Sequence, residues 1–192
     1  MGGTCSSLPM KDATTSQILS SLKSTSFVSS TSKVASLFVP LGVATEYNDG
    51  YVRLRKCNFV NKQYDVDLTE TPDLAQTLVV AAAMKGVKFK MSGLQSLRIK
   101  ETDRISALVN EMKKLGYILD SSVEGTLVWN GERCQPQEEV EIDTYDDHRM
   151  AMSFAIASYC YPKIKIKSSN VVTKSYPEFW GDLTKVGFKI ER

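Results

Sequence analysis

One sentence structure recurs three times in this chain, and it limits the folds available more than any other feature. Each copy has an apolar helix pattern, then a glycine with a bulky neighbour, then a short alternating strand. The copies are SKVASLFVPLGVATEYNDGYVRL, ISALVNEMKKLGYILDSSVEGTLVW and FWGDLTKVGFKIER. Their anchor glycines are Gly42, Gly116 and Gly187, with intervals of 74 residues (42 to 116) and 71 residues (116 to 187). Glycine suits the position just past a helix, where a left-handed conformation turns the chain into a strand. Hairpin signals follow in the first two copies, at Asn48-Asp49-Gly50 and Glu124-Gly125. A second correspondence shares the period. PDLAQTLVVAAAMKGVKFKMSG and DDHRMAMSFAIASYCYPKIKIKSS each read as an acidic helix start, a nearly all-apolar helix and a strand, and Asp73 to Asp147 is again 74 residues (73 to 147). Helices apolar on almost every face belong in a core.

The repeat predicts an α+β chain of strand-helix-strand-helix-strand-strand units, with buried parallel helices and outer sheets. A first unit covers 1–57, a second 58–135 and a third 136–192. Stepping back one period from Asp73 puts the first unit's leading helix before residue 1, so the first unit is expected to be truncated. The serine- and threonine-rich opening TTSQILSSLKSTSFVSSTS is expected to hold a strand near Ser16–Leu19 and then a loop.

Bulk properties narrow the function classes. A net charge of +2 offers nucleic acid no general attraction, so any interest in anions must be local. Cys5, Cys57, Cys134 and Cys160 form no CxxC pair, and His148 is the only histidine, so no metal site is expected. Reduced thiols point to a cytoplasmic protein. No apolar run approaches the ~20 residues of a membrane span. The opening MGGTCSS formally fits the permissive myristoylation pattern, with no secretory segment behind it.

Charged residues gather where the helices begin: Glu70-Thr71-Pro72-Asp73, Lys100-Glu101-Thr102-Asp103-Arg104 and Thr144-Tyr145-Asp146-Asp147-His148-Arg149. Thr102 or Asp103 can cap the second of these helices and Asp146 or Asp147 the third. Capping accounts for the aspartates. It does not account for Arg104 and Arg149, since a cation at a helix N-terminus opposes the macrodipole by ~0.3–1 kcal/mol. An anion lying between the guanidinium groups and the free N–H groups would make both favourable. Parallel helices would then aim their positive ends at a shared pocket for phosphate or carboxylate. Asp73 and Glu101 would stand beside it as a general acid and a general base. Lys174, at the corresponding strand-to-helix junction of the third unit, joins the same rim by symmetry. Read from the residues alone, the alternative is a set of ordinary capped and salt-bridged helices.

The phrases PDLAQT (72–77), GLQSLRIKETDR (93–104), TYDDHRMAM (144–152) and TKSYPEFW (173–180) closely resemble the 5-enolpyruvylshikimate-3-phosphate synthases, or 3-phosphoshikimate 1-carboxyvinyltransferases. The resemblance covers about residues 31–192. It implies one domain, of the C-terminal type, of the family's inside-out α/β barrel, built from three βαβαββ copies, with the N-terminal domain absent. It also implies transfer of the enolpyruvyl group of phosphoenolpyruvate to the 5-hydroxyl of shikimate 3-phosphate, with release of phosphate, by addition and elimination without a cofactor. Carried over by motif, Asp73 is the base for the 5-hydroxyl and Glu101 the acid for the methylene carbon, with help from Lys174; the exchange of proton roles within this trio stays open. Arg104, Arg149 and Lys174 would hold phosphoenolpyruvate, Lys100 would contact shikimate 3-phosphate, and His148 would border the pocket. Ser96 stands where some members have asparagine, which weakens a substrate contact from that position. The family's other phosphoenolpyruvate lysine and its Ser-Ser-Gln segment have no counterpart here, so the chain alone is expected to hold half an active site. Two further readings stay in view: a stand-alone anion-binding domain, and the related UDP-N-acetylglucosamine enolpyruvyl transferases, against which KETDR followed by YDDHRMAM argues.

Overall fold

A computed structural model describes residues 28–58, 62–99 and 103–191. The expected strand near Ser16–Leu19 and the N-terminal myristoylation pattern lie outside these residues, as does Cys5. The described residues divide into two compact units, one within 62–176 and the other formed by 28–58 together with 177–191.

In the smaller unit, helix α1 (Val28–Phe38) runs into a 3-10 turn (Val39–Leu41) that ends at Gly42. Gly42 takes φ +81° and its N–H bonds the Val39 carbonyl. The left-handed residue turns the chain directly into strand β1 (Val43–Asn48), as the glycine anchor predicts. The two residues Asp49 and Gly50 then reverse it into the antiparallel strand β2 (Tyr51–Lys56), with Asn48 opposite Tyr51. The same unit contains the chain's last helix, α5 (Phe179–Lys185).

The larger unit carries the repeat. Strand β3 (Gln63–Asp67), helix α2 (Ala75–Met84) and strand β4 (Lys88–Ser92) form one strand-helix-strand element with parallel strands. After helix α3 (Arg104–Lys114), strand β5 (Leu127–Trp129) pairs antiparallel with β4. Strand β6 (Glu141–Ile142), helix α4 (His148–Ala155) and strand β7 (Lys165–Ile166) repeat the parallel element. Alternation decides which sheet face is inward: Tyr64, Phe89 and Met91 are buried, while Gln63, Asp65, Lys88 and Lys90 face out.

Helices α2 and α4 are the apolar segments that the repeat predicts to be buried. Ala75, Leu78, Val79, Val80, Ala82 and Ala83 of α2 are sealed from solvent, as are Met150, Ala151 and Phe154 of α4. The small residues let the helices approach closely, and Thr77 Oγ1 lies 3.0 Å from Ser153 Oγ between them. On α3, Ile105, Leu108 and Met112 are buried, and Leu115 just beyond it is buried too.

Two expected strands differ. Phe188–Ile190 is not a strand among the described residues, because the chain folds back on its own helix: Gly187 N–H bonds the Thr184 carbonyl and Phe188 N–H the Leu183 carbonyl. After α3, the fifth element of the second unit shrinks to isolated pairings, Tyr117 with Arg133 and Asp120 with Val128. Among the described residues no helix is long and apolar enough to cross a membrane.

Candidate active site

Three chain segments far apart in sequence meet at one cluster within the larger unit. Asp73 lies in a 3-10 turn (Pro72–Leu74) at the head of α2, where Pro72 fixes the first position. It caps no helix. Its carboxylate reaches sideways instead, with Oδ1 3.0 Å from Arg104 Nη1 and Oδ2 3.1 Å from Arg149 Nη2. One acid from the first helix start thus holds a guanidinium from each of the other two.

Arg104 is the first residue of α3, and Asp103, itself in an extended conformation, caps it. Asp103 Oδ1 accepts from the N–H groups of Ile105 and Ser106, and Oδ2 accepts from the Ser106 hydroxyl at 2.7 Å. Burial pushes the Asp103 carboxyl up, but these hydrogen bonds and the Arg98 guanidinium outweigh it and hold the group below the usual carboxylate range. The cap directs Arg104 inward, so its side chain is only 4% exposed. Its Nε lies 2.7 Å from Asp147 Oδ2, an ionic contact whose angle falls outside hydrogen-bond geometry.

Asp147 has two duties. Its Oδ1 accepts the Arg149 N–H at 2.9 Å, which caps α4, and its Oδ2 faces Arg104 and the Gln76 amide. The chain reaches Asp147 through two left-handed residues, Tyr145 (φ +52°) and Asp146 (φ +57°). Asp146 sits on the outer side, where its Oδ2 accepts from Lys174 Nζ at 2.8 Å.

The sequence-derived residues are therefore distributed as follows. Asp73, Arg104 and Arg149 form one connected ion cluster. Lys174 joins the rim through Asp146, and at 54% side-chain exposure it remains at the surface. His148 is partly buried, with Nδ1 4.0 Å from Asp147 Oδ1. Ser96 is half-buried in a 3-10 turn (Gln95–Ile99) leading toward Arg104. Lys100 and Glu101 lie outside the described residues. Sequence reasoning gave Asp147 only a capping role and missed its pairing with Arg104. The repeat contained the signal, since Asp147 is the period-mate of Asp73.

Arg104 and Arg149 offer an anion planar, bidentate donors, and Asp73 sits between them as a half-exposed carboxylate able to take or give a proton. Arg149 carries five N–H donors on its side chain, more than its contact with Asp73 uses. The arrangement suits binding of a small anion next to proton transfer.

A family model described as EPSP synthase (3-phosphoshikimate 1-carboxyvinyltransferase) matches residues 28–183. The 3-phosphoshikimate 1-carboxyvinyltransferase of Bacteroides fragilis (strain YCH46) is 52% identical over 160 residues, covering 83% of this chain and 39% of that protein. The protein of the same name from Syntrophobacter fumaroxidans is 38% identical over 122 residues, covering 64% of this chain and 28% of its own length. A solved structure of EPSP synthase from Acinetobacter baumannii superimposes with a TM-score of 0.58 at 21% identity, over 82% of this chain and 39% of that one, which is a likeness of fold. The chain thus spans about two fifths of the length of the Bacteroides relative that it matches.

Proposed function

The chain belongs to the EPSP synthase family, and on that premise we propose that the Asp73–Arg104–Arg149 cluster is the phosphoenolpyruvate side of an enolpyruvyl transfer site. The acceptor is the 5-hydroxyl of shikimate 3-phosphate, and the setting is the cytoplasmic route to aromatic amino acids. The observation that carries this reading is the double ion pair: one carboxylate bridges two arginines that begin different helices, at 3.0 and 3.1 Å.

In the addition step the 5-hydroxyl oxygen bonds to C2 of phosphoenolpyruvate. The hydroxyl proton passes to Asp73, and C3 receives a proton from Glu101. In the elimination step the bond from C2 to the phosphate oxygen breaks, inorganic phosphate leaves, and a proton passes from C3 back to the Glu101 carboxylate to restore the double bond. Arg104 and Arg149, joined by Lys174, hold the anionic donor and stabilise charge on the departing phosphate. Lys100 is assigned the contact with shikimate 3-phosphate, His148 borders the pocket, and Ser96 has a marginal part. The rest of the site is supplied by segments that the full-length relatives contain beyond the matched region.

A coupled phosphate-release assay tests this. The chain alone is expected to show no turnover. With the complementary N-terminal portion of the Bacteroides relative added, release should depend on both phosphoenolpyruvate and shikimate 3-phosphate. Robust turnover by the chain alone would refute the half-site reading, and no release in the supplemented sample would refute the catalytic one.

A further inference from the structure

A second charged cluster lies two helical turns from Arg104, and the chemistry above makes no use of it. Glu111 of α3 is fully buried, yet its carboxylate is surrounded by donors. Lys114 Nζ lies 2.7 Å from Oε2, the Asp143 backbone N–H donates to Oε2 at 3.1 Å, and the Tyr145 hydroxyl donates to Oε1 at 2.8 Å. A buried ion pair adds little stability compared with an apolar pair of the same size, so stability alone is a poor reason for this one.

Its partners suggest another reason. Two of the three donors belong to the segment that leads into α4. There Tyr145 and Asp146 are held at φ +52° and +57°, a left-handed conformation that crowds the Cβ, is least favourable for a bulky residue such as tyrosine, and persists where the surroundings enforce it. Lys114 fixes the start of the same segment, donating to the Glu141 carbonyl at 2.9 Å and to Asp143 Oδ2 at 2.8 Å. Burial, reinforced by the bond to Glu111, pushes the Tyr145 hydroxyl up to about 12, so it remains a donor at neutral pH. Immediately beyond the left-handed pair come Asp147, which contacts Arg104, and Arg149, which contacts Asp73. Arg104 and Glu111 are seven residues apart on α3 and share its buried face. One helix therefore grips the segment twice, at Tyr145 through Glu111 and at Asp147 through Arg104.

We propose that Glu111 is a positioning residue: by anchoring Tyr145 and the Asp143 amide it enforces the left-handed turn that delivers Asp147 and Arg149 to the anion site. Its ligand readout rests on the phosphoenolpyruvate reading above, whereas its structural readout does not.

The test compares Tyr145→Phe and Glu111→Ala with Met91→Ala, a core substitution in β4 that lowers stability without touching the segment. Each 192-residue chain is assayed for thermal unfolding, for the NMR resonances of the Arg149 amide and the Arg104 Nε–H, and for phosphoenolpyruvate affinity by calorimetry. Tyr145→Phe is expected to shift both resonances and weaken affinity about tenfold, the effect of losing one hydrogen bond to a charged group. Met91→Ala should leave both readouts at wild-type values despite its lower melting temperature. Should Glu111→Ala fail to fold, Tyr145→Phe decides alone. Wild-type resonances in a folded Tyr145→Phe chain would overturn the inference, as would equal shifts in Met91→Ala. If the wild-type chain binds no phosphoenolpyruvate, the ligand reading fails and the resonances still decide the positioning role.

Discussion

Arg104→Ala is expected to remove about 3–5 kcal/mol of stability, a large share of the roughly 5–15 kcal/mol typical of a domain. The reason is the partner left behind. Asp147 has a side chain only 3% exposed, and its sole counter-charge at ionic distance among the described guanidinium groups is Arg104 Nε at 2.7 Å. Removing the guanidinium leaves that carboxylate buried with the Arg149 N–H and a long contact from Gln76 as its hydrogen-bond donors. Arg149→Ala should behave differently although it also breaks an ion pair. Its partner Asp73 is 46% exposed and water can solvate it, so the expected loss is under ~1 kcal/mol. Urea unfolding followed by circular dichroism checks the ranking. Equal losses for the two variants would mean that Arg104 is not the buried member of the cluster.

Gly93→Ala is expected to destabilise the larger unit by about 2–4 kcal/mol, combining a disfavoured backbone with overpacking. Gly93 has φ +76°, and an added Cβ would lie 2.4 Å from both the Thr69 nitrogen and Oγ1 and 2.5 Å from Asp67 Oδ1. Those atoms form a tight turn in which Asp67 Oδ1 accepts from the Thr69 hydroxyl at 2.6 Å and from its N–H at 2.9 Å. The same bonds hold the Asp67 carboxyl below the usual range. The turn leads from β3 toward Asp73, and Gly93 leads from β4 toward Arg104, so the two routes into the site cross here. Gly50→Ala is the matched contrast. With φ +79° and nothing within 4 Å of its added Cβ, it should show the backbone effect alone, about 1 kcal/mol. A denaturant series on both variants separates the steric part from the conformational part.

Much of this site was legible in the sequence because its determinants are local. A glycine after an apolar helix, an aspartate before one and a 74-residue period together placed Asp73, Arg104 and Arg149 at helix starts, and two parallel strand-helix-strand elements carry the helices that follow Asp73 and begin before Arg149. What stayed hidden depends on partners distant in sequence. Asp147 reads as a cap, which it is, but nothing nearby reveals that its other oxygen faces Arg104. Glu111 offered a clearer signal, since Arg104, Leu108, Glu111 and Leu115 follow one another at helical spacing and an acid in that buried row needs a donor. The missing strand at Phe188–Ile190 shows the opposite limit. Alternation marks a segment able to pair, whereas pairing needs a neighbour, and here the amides bond back to the helix end.

Whether an anion sits between Arg104 and Arg149 is tested most directly by calorimetric titration of phosphoenolpyruvate into the chain and into Arg149→Ala. The wild-type chain should bind one equivalent saturably. Arg149→Ala should bind about ten- to a hundredfold more weakly while its urea midpoint stays close to wild type. Equal affinity in the two chains, or no binding by either, would contradict the assignment of the arginine pair as the anion site.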